Sequence, residues 1–304
     1  MNNKATFMQS LLSLSFCCVF VFLLVSAFFH YTKKIDTNVH IVICDVGQGD
    51  AILIYQDFYQ ILIDSSRDTS VLACLQQHIP IWDRTIELTI ITHFDSDHSG
   101  GLAALASRYS LPHIFAPKVV SDGSRGDGQV SPQNATELLS KLHFIEPFLG
   151  QSVSFSSGLT LKLYPPHSLF QAKQLSKPGV QASPVSDNDT SLVTLVEHGE
   201  LTFLAVGDLE KTGESVLTTF IKFGSIDIVK VGHHGAKTSS SMQFLQAITP
   251  RLAVISVGSN NSYGHPSQDT LKRLGQVGAR VLRTDVDGTI EIVSDGTQWW
   301  LGSR

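Results

Sequence analysis

Beyond residue 35, this 304-residue sequence holds no apolar run long enough to cross a bilayer. Nothing after that point reads as a channel. Charge is scarce as well, at 16% of residues, and positive charge is the scarcer kind. Residues 1–34 hold three lysines and no acids, which leaves 19 basic against 27 acidic side chains in the remainder, a net charge of −8. No gross basic surface advertises nucleic acid, although carboxylates gathered in a metal site count as negative until ions bind. Only four cysteines occur. Cys17 and Cys18 lie in an apolar segment; Cys44 and Cys74 sit in buried-looking patterns and read as core residues, with a disulfide between them left open. A hydrophobic content of 42% excludes disorder as the main state and suffices for one large domain or two small ones.

The one long apolar run is amino-terminal. Phe7 to Phe29 carries no charge, shows no recurring polar face and is flanked by Lys4 and by Lys33 and Lys34. Its length suits either a membrane anchor or a signal peptide cut near Val25-Ser26-Ala27. The expected organisation is an anchor or signal segment over 1–35 and a globular domain over 36–304. Lysines on both sides leave the orientation open. An extracytoplasmic domain is the expectation, and a cytoplasmic-facing one the alternative.

From Val39 onward, short apolar runs alternate with amphipathic segments. Strands are expected at 39–44, 51–55, 59–63, 87–92, 161–164, 191–197, 201–206, 226–231, 252–257, 280–283 and 289–293. Helices are expected after Thr69, Gly100, Pro132, Lys211, Ser239 and Ser267. Strand pairs precede helices in each half, which indicates mixed α/β and not a Rossmann alternation. Residues 117–136 and 171–189 are rich in Gly, Pro and Ser, and loops of that length are commonly functional lids.

Chemistry concentrates at strand ends. In Thr92–Gly101, THFDSDHSGG, two histidines and two carboxylates fall within six residues just after an apolar strand. His93 and Asp95, two apart, point to one side of an extended chain, and Asp97 and His98 follow. Gly100 and Gly101 should let the chain turn tightly into the next helix. Imidazole with carboxylate suits a divalent transition metal. Asp64, Asp208 and the pair His233–His234 each follow another apolar strand. Alone, each would be a turn former or a solvated loop; together they indicate one site.

These residues resemble the metallo-β-lactamase-fold hydrolases, and more narrowly the hydrolase domains of ComEC-type competence proteins and their stand-alone relatives. The resemblance rests on DVGQGDAILI (45–54), ILID (61–64), THFDSDHSGG (92–101), NDTSLVTLVEHGELTFLAVGDLE (188–210), DIVKVGHHGAKTSSS (227–241), ISVGSNNSYGHPS (255–267) and LRTDVDGTIEI (282–292). It implies an α/β fold, an αββα sandwich, preceded here by one apolar helix. It further implies one or two divalent ions, zinc or manganese. His93 and Asp95 match the first metal position, Asp97 and His98 the second, Asp208 a bridging carboxylate, and His234 or His233 the last ligand. Asp64 matches a residue that orients a ligand imidazole. Two departures are visible: the second histidine of the signature is Asp95, and the histidine expected before Asp208 is replaced by Asn188 or Asp189. An oxygen-rich first position shifts preference toward manganese.

The mechanism implied is attack by metal-activated hydroxide, with water brought toward a pKa of ~7, on phosphorus or a carbonyl carbon. Asp97 acts within the metal site, and His265 or the non-ligand member of the His233–His234 pair protonates the leaving oxygen. Ser239, Ser240 and Ser241 could hold a phosphate at a helix start or simply cap it. The resemblance points to phosphodiesters, with DNA the sharpest version. Cell-wall or phospholipid head-group diesters, a carbonyl hydrolase, and a non-catalytic metal-containing binding protein are the alternatives. Membrane contact is expected through the amino-terminal segment.

Overall fold

Alternation along each strand builds the layers, and two sheets follow from it. The computed structural model describes residues 14–26, 36–117, 140–165, 169 and 186–302. The chain divides into two units, Met1–Asp36 and Thr37–Arg304. In the first, residues 14–26 form a helix whose apolar side chains are exposed, among them Leu14, Phe16 and Phe22. No helix among the described residues is long and apolar enough to cross a membrane; both ends of the expected span, Phe7–Phe29, lie outside those residues.

In the second unit, β1 (Val39–Ile43), β2 (Ile52–Gln56), β3 (Tyr59–Ile63), β4 (Leu88–Ile90), β5 (Ile114–Phe115), β6 (Phe144–Ile145), β14 (Ile290–Ser294) and β15 (Trp299–Leu301) form one sheet, in the order β15-β14-β1-β2-β3-β4-β5-β6. A second sheet joins β7 (Gln151–Ser154), β8 (Leu159–Tyr164), β9 (Val193–His198), β10 (Leu201–Ala205), β11 (Ile228–Lys230), β12 (Leu252–Ile255) and β13 (Arg280–Arg283), in the order β13-β12-β11-β10-β9-β8-β7. Ile41, Ile43 and Ile54 of the first sheet pack with Leu161, Phe203 and Val254 of the second in one core between them. Their neighbours face outward: Val42, Leu53 and Leu62 lie under helices Ser70–His78 and Leu102–Arg108, with Val71, Leu75 and Leu105. Leu204, Val229 and Ala253 lie under helices Lys211–Phe220, Met242–Ile248 and Gln268–Gln276. Strands apolar on both faces must be covered on both, and the result is the αββα sandwich.

The structure adds strands β5, β6, β7 and β15, each of two to four residues. Runs that short are too brief for alternation to register. The helix expected after Ser239 begins at Met242, because Ser241 takes the cap and its hydroxyl accepts from the Phe244 amide at 3.2 Å. The helix expected after Pro132 and nearly all of both long loops fall outside the described residues.

Cys44, at the end of β1, is bonded to Cys74 on helix Ser70–His78. Both are buried, as expected, and joined, which local patterning does not reveal. The bond spans a sequence separation of 30. Closing such a loop in the unfolded chain accounts for about 3–4 kcal/mol. Cys74→Ser is therefore expected to lower unfolding free energy by about that amount in denaturant titrations; equal midpoints for variant and oxidised protein would refute it.

Candidate metal centre

Parallel strands deliver their carboxyl ends to one edge. β3 and β4 run parallel in one sheet, and β10, β11 and β12 in the other. The residues just past these ends meet at that edge: Asp64 after β3, His93–His98 after β4, Asp208 after β10, and His233 and His234 after β11. Four overlapping triads bring one ligating atom of each member within 4.8 Å of the others: His93, His98 and Asp208; Asp97, His98 and His234; Asp50, Asp208 and His234; and Asp50, Asp64 and His98.

Hydrogen bonds set the ring orientations. His98 Nδ1 donates to Asp64 Oδ2 at 2.7 Å, and Asp64 is fixed in turn by the Thr92 amide and hydroxyl, both at 2.8 Å. His234 Nδ1 donates to the Ser256 carbonyl at 2.9 Å, and His93 Nδ1 lies 3.1 Å from the Thr92 hydroxyl. Each bond leaves Nε2 as the lone-pair nitrogen. Those three Nε2 atoms, with Asp50 Oδ1 and Asp208 Oδ1, are buried and have no hydrogen-bond partner. Buried polar atoms are rarely left so. Nitrogen and oxygen donors converging without protons between them fit a divalent metal.

The local backbone is shaped for this. Asp64, His233 and His234 all adopt positive φ, at 61°, 48° and 51°, a region in which Asp and His are enriched among non-glycine residues. The chain turns at Gly100 and Gly101 into the helix that begins at Leu102, as expected, but both glycines have ordinary helical φ, so the turn itself does not require glycine. Their requirement is close approach: a Cβ would sit 2.1 Å from the Arg67 carbonyl at Gly100 and 2.1 Å from the Ser65 carbonyl at Gly101.

Two residues central to the cluster carry no site role in the sequence reading. Asp50, in the β1–β2 loop, and Lys230, in β11, form a buried ion pair, and Lys230 Nζ also donates to the Gly207 carbonyl at 3.2 Å and lies 3.8 Å from Asp208. Lys230 has no exposed surface. The available signal is a lysine set among apolar residues in IVKV (228–231); a buried lysine demands carboxylate partners.

Other expectations resolve differently. Asp95 lies at the rim, with Oδ2 3.6 Å from His93 Nε2, and belongs to none of the four triads. Asn188 approaches His233 at 3.4 Å. Asp189 turns away, accepting from the amides of Glu210 and Gly213 at 3.1 and 2.8 Å at the start of helix Lys211–Phe220. A short carboxylate beside a helix amino terminus is held there by its free N–H groups. The phosphate reading of the serines is overturned in the same way: the Glu214 carboxylate already accepts from the amides of Ser240 and Ser241, and the Ser239 hydroxyl donates to Gly232 and Ala236 carbonyls. His233 Nδ1 donates to Glu210 at 2.9 Å, and His265 packs 5.7 Å from the His233 ring.

Charge is strongly coupled. Burial opposes ionisation of Asp208, yet His98 and His234 outweigh it and hold the carboxyl well below the usual range. Asp97 is likewise held low, burial being outweighed by the close approach of His234, whose Nε2 lies 3.3 Å from Asp97 Oδ2, and by the charge of His98. Conversely, burial depresses His98 and His234, but Asp208 with the neighbouring carboxylates lifts both above the ordinary histidine value.

Residues 44–259 match the pattern of the metallo-beta-lactamase superfamily. The chain is 28% identical to ComE operon protein 3 of Bacillus subtilis over 95% of its length and 37% of that protein's. It is 27% identical to Recombination protein 2 of Haemophilus influenzae, over 86% of this chain and 29% of that one. It thus spans about a third of these relatives. Among solved structures it is similar in fold to Tm1679, a metal-dependent hydrolase of the β-lactamase superfamily, with TM-score 0.52 and 13% identity over 88% of this chain and all of that one. Zinc-bound PqqB of Methylobacterium extorquens gives TM-score 0.51 and 12% identity over 80% and 97%. The chain belongs to the metallo-β-lactamase superfamily.

Two outcomes follow from the geometry. Asp64→Asn, which loosens the His98 ring, should weaken metal affinity by about 10- to 100-fold in calorimetric titration, and an unchanged affinity would contradict it. In metal-free protein, the stability supplied by protonated His98 and His234 is complete below about pH 6.5 and lost as pH rises through their raised values. An ion replaces those protons and reverses the trend. Thermal unfolding from about pH 6.5 to about pH 9 should show chelated protein weakening while the gain from added metal grows; parallel traces would sink the idea.

Proposed function

We propose that this member of the metallo-β-lactamase superfamily is an extracytoplasmic, membrane-anchored metallophosphodiesterase that cleaves DNA. The observation that carries the hydrolytic reading is the convergence of three unpartnered imidazole Nε2 atoms and two unpartnered carboxylate oxygens at the strand-end edge. The phosphodiester reading, and DNA within it, rests on the resemblance to ComEC-type competence hydrolase domains carried by the ordered motif set from residue 45 to residue 292; the similarity to Competence protein ComA of Neisseria gonorrhoeae and to Recombination protein 2 agrees with a competence setting.

Asp97, His98, Asp208 and His234 would hold the better-furnished metal position. His93 and Asp95, sharing Asp208, offer a poorer, oxygen-richer one, which tilts the choice toward manganese. When bound, a divalent ion supplies a Lewis acid and makes hydroxide available near neutral pH. The chain's own residues do the rest. Asp64 and the Ser256 carbonyl fix two ligand rings. Lys230 places a permanent positive charge behind Asp50 and Asp208, which keeps both in place. His233, partly exposed and held at Nδ1 by Glu210, turns Nε2 toward Asp208 at 3.9 Å, placed to pass a proton to a leaving oxygen. His265 lies behind it, kept below the ordinary histidine value first by burial and then by His233 and His234, and positions the His233 ring.

The Cys44–Cys74 bond supports an oxidising, extracytoplasmic compartment. The helix at 14–26, apolar and exposed along its length, supports burial in lipid. A net charge of −8 outside the first 34 residues favours a second reading, a small head-group or cell-wall diester.

Full-length protein in detergent, loaded with zinc or manganese, should cleave linear DNA and a small phosphodiester. Activity should disappear in the Asp97→Ala, His98→Ala double variant. Cleavage of the small diester alone would transfer the assignment to the second reading, and no turnover with metal bound would end the phosphodiesterase assignment.

A further inference from the structure

β12 ends at Ile255, on the edge that carries the metal centre, and the segment from Ser256 to Ser267 follows it there. That segment is fastened to the ligand loops at both ends. The Ser256 carbonyl holds His234 and the Ser256 hydroxyl donates to the Gly49 carbonyl at 2.7 Å, while the Ser267 amide donates to the Gly235 carbonyl at 2.9 Å. Between those ends Asn261 closes the loop on itself. Its side-chain amide donates to the carbonyls of Gly258 and His265, both at 2.8 Å, and its oxygen accepts from the His265 amide at 3.0 Å. A side chain carried by this loop therefore keeps a fixed place relative to the metal ligands.

Tyr263 is such a side chain. Its ring stacks on His265, 15° from parallel with centroids 5.8 Å apart, and His265 in turn meets the His233 ring at 5.7 Å. His233 is the group that faces Asp208, so Tyr263 stands one ring contact beyond His265 in a succession that begins at the cluster. It is also 60% exposed. An aromatic ring is thus held in water, in a fixed orientation, beside the place where a phosphodiester would react. Such a ring accepts any nucleobase, because every base has a π-face of its own. Charge supplies a second argument. Outside the first 34 residues the net charge is −8, so backbone phosphates gain little from long-range attraction, and a strand needs a hold that does not draw on charge. Stacking is that hold.

We propose that Tyr263 is a stacking platform for a nucleobase splayed from the strand next to the scissile phosphodiester. This rests on the DNA reading above. The test uses full-length protein in detergent, loaded with manganese, as wild type, Tyr263→Ala and Tyr263→Phe. Each is assayed on a single-stranded oligothymidylate and on an oligomer of the same length whose residues are abasic. Stacking predicts that Tyr263→Ala raises KM for oligothymidylate about 5- to 100-fold with kcat nearly unchanged. Tyr263→Phe, which keeps the ring, should restore KM, and the penalty of Tyr263→Ala should vanish on the abasic oligomer. A KM for oligothymidylate unmoved by Tyr263→Ala, or an equal rise on the abasic oligomer, would overturn the platform while leaving the nuclease intact. Failure of wild type to cleave either oligomer would overturn the DNA reading and the platform with it.

Discussion

Four carboxylates share one small buried region, and the structure around them is organised by the need to neutralise them. Asp50, Asp64 and Asp208 are almost wholly buried and Asp97 largely so. Against them stands one permanent cation, Lys230, with His98 and His234 drawn to the protonated state when no metal is bound. Carboxylates out of water are costly unless paired. The cluster therefore needs protons or metal, and its unpartnered nitrogen lone pairs make metal the better occupant. The same demand explains a lysine at the carboxyl end of a buried strand: β11 carries its counter-charge inside the core, where solvent cannot substitute for it.

That arrangement depends on backbone placement. Strands β3 and β4 in one sheet and β10, β11 and β12 in the other end at a common edge, so each contributes one short polar loop. The loops are locked to each other by main-chain bonds. Asp50 donates its amide to the Asp97 carbonyl at 3.1 Å, and Ser65 donates to the His98 carbonyl at 2.7 Å. Gly100 and Gly101 allow the helix after the signature to lie directly on the 65–68 segment, and the Cys44–Cys74 bond ties the strand leading into the Asp50 loop to the helix beneath it. Ligand geometry is thus held from several directions, as tight metal binding requires.

Much of this was legible in residue order. Polar groups placed just after apolar strands named His93, Asp95, Asp97, His98, Asp208 and the pair His233–His234; the structure brings His93, Asp97, His98, Asp208 and His234 together and leaves Asp95 and His233 outside the four triads. Residue order marks Asp64 only as a strand-end carboxylate; the orienting role is what the family resemblance implies, and its bond to His98 Nδ1 fits that role. Other residues carried a misleading sign. Asp189 has the chemistry of a ligand, but a helix amino terminus competes for it and wins, because Lys211–Phe220 begins within its reach. The serines after Lys237 resemble an anion cradle, yet Glu214, distant in sequence, already occupies their amides.

The sequence by itself determined the alternation that makes two sheets with helices outside, the strand ends on which metal chemistry sits, and the charge-free amino-terminal run, because these depend on spacing of two to four residues along one chain. Only the tertiary structure decided that Asp50 and Lys230 complete the cluster, that Cys44 and Cys74 are joined, and that Asp189 faces a helix and not the site. Each of those depends on which distant segments become neighbours, and local pattern carries no information about that until the core has closed.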